Sequence, residues 1–295
     1  CDVEDYNLDF DNIDENTRQN LALKAFEKTS KYDFTIFEEL SYNFGISEAD
    51  MLNSHKAFYL DKICDLRYGE NPHQKAALYF YDKKLDYEIL NGKEMSYNNI
   101  LDSTAALNIV AEFYDVNACV IVKHTNPCGV ALGKSVEDAW KKALDCDPLS
   151  AFGGIVAFSK EIDDTVAKHL TSMFLEVIIA PSYTSAALEI LKTKKNLRVI
   201  KINTELQKYS NFVPQELKLT PFGALVQEKD TLELDPEKFK IVTKNKPTQE
   251  QIEDMVFAFK VAKHVKSNGI VVAKDLRALG ICGGQTSRVG AVEIA

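Results

Sequence analysis

Ala118-Cys119-Val120-Ile121-Val122-Lys123-His124-Thr125-Asn126-Pro127-Cys128-Gly129 is the stretch from which the fold is read. Its apolar first half reads as a strand that runs out at Lys123-His124. The turn-rich stretch Thr125–Gly129 follows. In an open α/β sheet, ligands bind outside the carboxyl ends of strands. A cationic donor beside a residue that titrates near neutrality, placed there, is a candidate for chemistry. The plain alternative is a strand-end histidine and a surface lysine.

Outward from this strand the chain alternates α and β. The acidic residues 1–13 read as a loop. From Asp14, Leu21, Ala22, Ala25, Phe26, Thr29, Tyr32, Ile36, Phe37 and Leu40 recur at helical spacing. The pattern lapses around Ser41–Ser54, which suggests a boundary. Leu78–Tyr81 reads as a strand and Asp82-Lys83-Lys84 as a turn. Asp102–Tyr114 reads as an amphipathic helix. Ser135 with Asp138 caps a helix reaching Leu144, and Asp147-Pro148 ends it. Ile155–Phe158, Val177–Ala180, Arg198–Ile202, Ala224–Gln227 and Ile270–Ala273 read as strands, and Leu188–Lys194 as a helix. Thr248-x-x-Gln251 is a capping box for a helix to about Val265. Gly280–Gly284 reads as a glycine-rich turn. Ala131-Leu132-Gly133 and Ala278-Leu279-Gly280 each follow an apolar strand, a faint internal echo.

Composition limits the function. The 295 residues suggest two units. Hydrophobic residues make up 45% and charged residues 27%, enough for a packed core in water. The net charge of −9 argues against nucleic acid or an anionic membrane as the main partner. An anionic ligand then needs a local cluster of cations. Six cysteines without a C-x-x-C pair suggest neither a zinc ribbon nor a disulfide framework, so a cytoplasmic location is expected. No apolar run is long enough to span a bilayer. The chain starts at Cys1 and stops at Ile294-Ala295 in mid-pattern, which reads as a fragment.

Several segments compete as sites. Leu66-Arg67-Tyr68-Gly69-Glu70-Asn71-Pro72-His73-Gln74 is too polar to be ordered by burial, so it is either mobile surface or a ligand loop. Ser150-Ala151-Phe152-Gly153-Gly154 sets glycines before a strand, where backbone N–H groups can approach an anion. Lys192, Lys194, Lys195 and Arg198 form a basic run that suits a solvated helix end. No phosphate-loop, dinucleotide or nucleophile-elbow fingerprint occurs. A zinc deaminase needs H-x-E and P-C-x-x-C. Here His124 is followed by Thr125-Asn126, and Pro127-Cys128 by Ala131 three residues on, so both halves fail.

Arg67–Gln74, Ser96-Tyr97-Asn98-Asn99, Lys123–Gly129, Asp147–Gly154, Lys266-Ser267-Asn268 and Gly284–Arg288 occur in this order in one family. From about Asp14 to Ala295 the chain resembles the bifunctional AICAR transformylase/IMP cyclohydrolase enzymes of purine biosynthesis. AICAR is 5-aminoimidazole-4-carboxamide ribonucleotide. The resemblance implies an α/β fold of duplicated cytidine-deaminase-like lobes without zinc, with mixed sheets flanked by helices and a truncated second lobe. Residues 1–50 would be the trailing part of a cyclohydrolase domain with its linker helix. Residues 51–245 would be the first transformylase lobe, and 246–295 the start of the second. A homodimer with the site at its interface is also implied.

The implied reaction moves a formyl group from 10-formyltetrahydrofolate to the 5-amino group of AICAR. That amine is a poor nucleophile and must lose a proton as it attacks, a task for His124. Lys123 and Asn268 would face the oxyanion, and Lys123 the leaving nitrogen. Arg67 and Lys195, with Tyr68, match phosphate contacts. Asn99, Phe152 and Gly153 match contacts to base and ribose, and His73 and Arg288 match further site positions. Glu176 stands where some members place an aspartate for the ribose. Potassium binding is left open. A nucleotide-binding protein without catalysis and a zinc deaminase relative are the alternatives.

Overall fold

The apolar run is a buried strand. In the computed structural model, which describes residues 2–9, 11–45, 60–80, 85–209 and 215–295, β4 spans Asn117–Lys123 and buries Ala118 to Val122 completely. Successive strand side chains point to opposite faces. Ala118, Val120 and Val122 share a core with Ile109 and Val110 of α2 (Tyr97–Ala111) and Phe257 and Val261 of α7 (Gln249–Ala262). Cys119 and Ile121 share another with Trp140 of α3 (Val136–Cys146), Leu170 of α4 (Asp164–Thr171) and Leu191 of α5 (Ser185–Lys192). Full burial of each such aliphatic side chain is worth about 1.5–3 kcal/mol, so β4 belongs inside the sheet.

Among the described residues the sheet has eight strands. They are β3 (Tyr87–Asn91), β4, β5 (Asn126–Gly133), β6 (Ile155–Phe158), β7 (Val177–Ala180), β8 (Arg198–Ile202), β11 (Ile270–Lys274) and β12 (Arg277–Cys282). Their order is β11-β12-β5-β4-β6-β7-β8-β3. β6, β7 and β8 are parallel; every other neighbouring pair is antiparallel. The architecture is α/β, a mixed sheet flanked by helices.

One consequence corrects the sequence reading. β4 runs against β6, with Val122 opposite Ile155. Lys123 and His124 do stand at the carboxyl end of β4. That end lies where the parallel strands begin, so the carboxyl-end rule for parallel sheets does not by itself select it.

β6, β7 and β8 have the bounds the sequence suggested, and Ser135 and Thr248 cap their helices. α2 starts earlier than expected, because Ser96 and Asn99 form a capping box with asparagine in place of the usual Glu or Gln. The stretch Thr125–Gly129 is mostly strand. Its turn is only His124-Thr125, and Pro127, with no N–H to donate, sits at a register irregularity in β5. Gly280–Cys282 belongs to β12 rather than to a turn. The expected turn Asp82-Lys83-Lys84, Tyr81 and most of the Ser41–Ser54 boundary lie outside the described residues.

The chain divides into two compact units, residues 1–62 with 79–82, and residues 63–78 with 83–295. The first contains α1 (Glu15–Asn43), opened by Asp14 accepting from the Thr17 N–H. Its apolar side chains, Phe26, Tyr32 and Phe37 among them, are exposed. Lys24 pairs with Asp2 and Asp5. β1 (Asp61–Leu66) and β2 (Ala76–Phe80) make a two-stranded ribbon. The second unit holds the large sheet, α6 (Leu206–Tyr209), α8 (Arg288–Ile294) and a separate ribbon of β9 (Gln215–Thr220) and β10 (Gly223–Glu228).

The second unit repeats an arrangement. α2-β4-β5-α3 and α7-β11-β12-α8 have the same order, and both leading helices open with a capping box. Both hairpins turn on two left-handed residues, His124-Thr125 and Asp275-Leu276, as the favoured two-residue hairpin turn requires. Asp102 accepts from the Thr125 N–H at 2.7 Å, and Asp254 from the Leu276 N–H at 2.8 Å. Asp102 and Asp254 are each the sixth residue of their helix. The Ala-Leu-Gly echo lies at different distances from the two turns and is not the equivalent feature.

Candidate active site

Lys123, Phe152, Gly153 and Phe174 meet where β4 ends and β6 begins. The Lys123 ammonium donates to the Phe152 carbonyl at 2.9 Å. An ammonium has three N–H groups, so this bond leaves others for a ligand. Gly153, at φ 68, lies directly beneath: a Cβ there would sit 3.0 Å from Lys123 Nζ. The Gly153 N–H donates to the Phe174 carbonyl, and the Phe152 and Phe174 rings are 5.4 Å apart. Phe152 remains 62% exposed, an apolar surface large enough to take a flat ring.

His124 begins the turn. Its φ of 51° is uncommon for a residue with a side chain. Its carbonyl accepts from Asn126 Nδ2 at 2.9 Å and from Thr125 Oγ1 at 2.7 Å. Asp102 holds the next residue. Lys123, His124, Asn126, Cys128, Cys146, Asp147, Ser150 and Ile281 help line a cavity of about 410 Å³. Burial, with Asp147 nearby, pushes the Cys128 thiol up to about 12 and that of Cys146 up to about 11. Both stay protonated at neutral pH, a poor state for a metal ligand or nucleophile. Among the described residues, no group of three or more His, Cys, Asp or Glu could hold a metal ion.

The neighbouring strand ends extend the site. Glu176, just before β7, pairs with Arg198 at 2.8 Å, and its N–H donates to Gly154. Arg198 also donates to the Glu94 carbonyl at 3.0 Å. Arg198 is therefore the start of β8 and the partner of Glu176, not part of a solvated helix end. Lys195 is exposed in the turn before it.

α2 joins a second group to this edge. The Arg67 guanidinium donates to the Tyr68 hydroxyl at 2.9 Å and lies 4.7 Å from its ring centroid. The loop is ordered by its own polar groups: Gly69 N–H to Gln74 O, and Asn71 to the Gln74 side chain. Asn98 donates to the Glu70 carbonyl, tying the loop to the first turn of α2. Asn99 is buried, and its Oδ1 serves the capping box with Ser96.

Asn268 lies between α7 and β11. Its side-chain amide donates to the Gln285 carbonyl at 2.9 Å and the Thr286 carbonyl at 3.4 Å. In this arrangement it braces the loop that leads to α8. His73 and Arg288 are exposed, and among the described residues no hydrogen bond or ion pair draws either of them, or Lys195, to Lys123.

Sequence reasoning missed Asp102, Asn126 and the Arg198 pairing. One signal for Asp102 was present. Ser96-x-x-Asn99-x-x-Asp102 repeats as Thr248-x-x-Gln251-x-x-Asp254. Nothing local marked Arg198, because its partner lies just before another strand.

Residues 1–295 match the family model described as AICARFT/IMPCHase bienzyme. The chain is 45% identical to a bifunctional purine biosynthesis protein PurH of Caldicellulosiruptor bescii, over all of this chain and 58% of that protein. It is 44% identical to the PurH of Aquifex aeolicus, over 100% and 58%. It is 48% identical to that of Persephonella marina, over 95% and 54%. The chain thus spans little more than half the length of these relatives. It belongs to the AICARFT/IMPCHase bienzyme family.

Proposed function

We propose that this chain carries most of an AICAR transformylase site, which transfers a formyl group from 10-formyltetrahydrofolate to the 5-amino group of AICAR in purine biosynthesis. The whole protein would also be an IMP cyclohydrolase. The observation that carries this reading is that Lys123 meets Phe152 and Gly153 and shares one cavity with His124, in a chain of this family.

His124 takes the proton of the 5-amino group as its nitrogen attacks the formyl carbon. A free N–H of the Lys123 ammonium faces the oxyanion of the tetrahedral intermediate. Lys123 then protonates the folate nitrogen as its bond to the formyl carbon breaks. The Asn268 amide joins as a second oxyanion donor once its long bond to the Thr286 carbonyl is released. Arg67 and Lys195, with Tyr68, bind the phosphate. Phe152, Gly153 and Asn99 hold the base and ribose, with His73 and Arg288 at the rim. Glu176 reaches the ribose from its pairing with Arg198.

The repeated helix–hairpin order and the matched Asp102 and Asp254 contacts support duplicated deaminase-like lobes at 51–245 and 246–295, the second present in its first elements. Residues 1–50 are the trailing segment of a cyclohydrolase domain with its linker helix. The protein acts as a cytoplasmic homodimer, with residues from both copies near Lys123. Among the described residues no helix is long and apolar enough to cross a membrane.

Calorimetry of AICAR binding and a formyl-transfer assay on the full-length protein test the proposal. Removing the base by His124→Ala should slow transfer by roughly 10²–10⁴-fold. Lys123→Ala should cost roughly 10²–10³-fold, the usual loss for one oxyanion donor. Near-normal turnover in either variant would remove that residue from its role. AICAR binding without any transfer would instead favour a nucleotide-binding role.

A further inference from the structure

We infer that Asn126 is a positioning residue for His124: its side-chain amide fixes the carbonyl of His124 within the left-handed turn and so sets the imidazole at the cavity. The inference rests on the transformylase reading for His124. Its evidence is separate, and comes from comparing the two hairpins.

Both hairpins need their turn secured, since two residues with side chains lie in the left-handed region. Both secure it in one common way, with an aspartate from the leading helix on the second turn residue. The first hairpin adds another hold. Asn126 Nδ2 donates at 2.9 Å to the carbonyl of His124 itself. In the second hairpin the corresponding residue is Arg277, which turns away to Asp145 at 2.8 Å. That turn carries Asp275 in place of His124 and forms without any such amide. The turn geometry therefore does not require Asn126. What distinguishes the hairpin that has the amide is the histidine.

The other end of the amide is stabilised poorly. Asn126 Oδ1 is buried and accepts no hydrogen bond from the described residues. Leaving such an acceptor unpaired is costly to stability. Flipping the amide would set its oxygen against the His124 carbonyl, so the nitrogen is correctly placed. Gly283 approaches this oxygen closely: a Cβ on Gly283 would stand 3.2 Å from Oδ1 and 2.7 Å from a Val265 methyl. Gly283 precedes Gly284 and Gln285, which bond to Lys266 and Asn268. Asn126 thus bonds to His124 on one side and lies near the loop that holds Asn268 on the other. A side chain that leaves one hydrogen bond unmade while holding a candidate catalytic residue is placed for function rather than stability.

The test compares Asn126→Ala and Asn126→Asp in the full-length protein. Asn126→Asp keeps the shape but replaces the N–H donor with oxygen. Both should lower kcat by roughly 10–10²-fold, the effect of displacing a catalytic group by about 1 Å. KM for AICAR should change less than about twofold, and the pH profile of kcat should shift in the limb set by His124. In a His124→Ala background, either substitution should cost less than about twofold more, because groups acting as a unit are not additive. Normal kcat in Asn126→Asp, or losses that multiply in the double variant, would overturn the inference. If Asn126→Ala does not fold, Asn126→Asp decides alone. Titration of the His124 ring by NMR gives a readout independent of turnover. A ring signal unchanged in Asn126→Asp would count against Asn126 even if formyl transfer proved not to be the activity. Wild-type protein without transfer would defeat the transformylase reading instead.

Discussion

Replacing Gly153 with alanine probes the join between Lys123 and the β6 turn. Gly153 has φ 68, and a left-handed residue with a Cβ costs roughly 1–2 kcal/mol. Alanine also narrows the unfolded chain's freedom, which returns about 0.4–1 kcal/mol. The new methyl would lie 3.0 Å from Lys123 Nζ and 3.3 Å from the Phe174 ring. The lysine is flexible and can move. The ring packs at a tilt against Phe152 and gives less easily. The net loss should be about 1–2 kcal/mol, or about 2–8 °C in Tm for a unit of this size. Moving the ammonium off the Phe152 carbonyl should also lower formyl transfer by up to about 10²-fold. Circular dichroism melts and the transfer assay measure the two effects. Gly45→Ala is the control, since Gly45 has φ 69 with open space around it and is far from Lys123 in sequence. It carries the backbone cost and should leave transfer unchanged. A Gly153→Ala protein with Tm within about 1 °C of wild type and full turnover would refute the reasoning, because neither strain nor displacement would then be real.

Two further outcomes are expected. Burial works to raise the Glu112 pKa, but hydrogen bonds from His264 and Lys263 outweigh it and hold the carboxyl at about 2. That depressed value means the stabilisation is fully present above pH 4.5 and is lost as pH falls towards 2. Glu112→Gln should therefore cost roughly 1.5–3 kcal/mol at pH 7, with the gap to wild type closing in acid; a pH-independent gap in denaturant melts would contradict this. The β9–β10 ribbon exposes Leu217, Leu219, Phe222 and Leu225, and a two-stranded ribbon alone is marginal in water. Light scattering should find a dimer, and a clean monomer at micromolar concentration would refute that expectation.

The sequence by itself determined the elements whose signals are local. The unbroken apolar run at Ala118–Val122 marked a buried strand, and the short runs at Ile155, Val177 and Arg198 marked the parallel ones. Ser135 and Thr248 announced their helices through hydrogen bonds that reach only three residues. Motif order along the chain pointed to the family. Tertiary structure decided the rest. A strand's side-chain alternation is the same whether its neighbour runs with it or against it, so β4 gave no sign that it opposes β6. That direction brings Lys123 to Phe152 and Gly153, and sets both beside Glu176. Arg198 looked like part of a basic helix end because its partner, Glu176, is 22 residues away, just before another strand. Asn126 looked like an ordinary turn residue. Its grip on the His124 carbonyl exists only once Asp102, also distant in sequence, has helped to hold the chain in the left-handed region. Periodicity and capping report on neighbours along the chain, whereas this site is built from groups that meet only when separate strands pair.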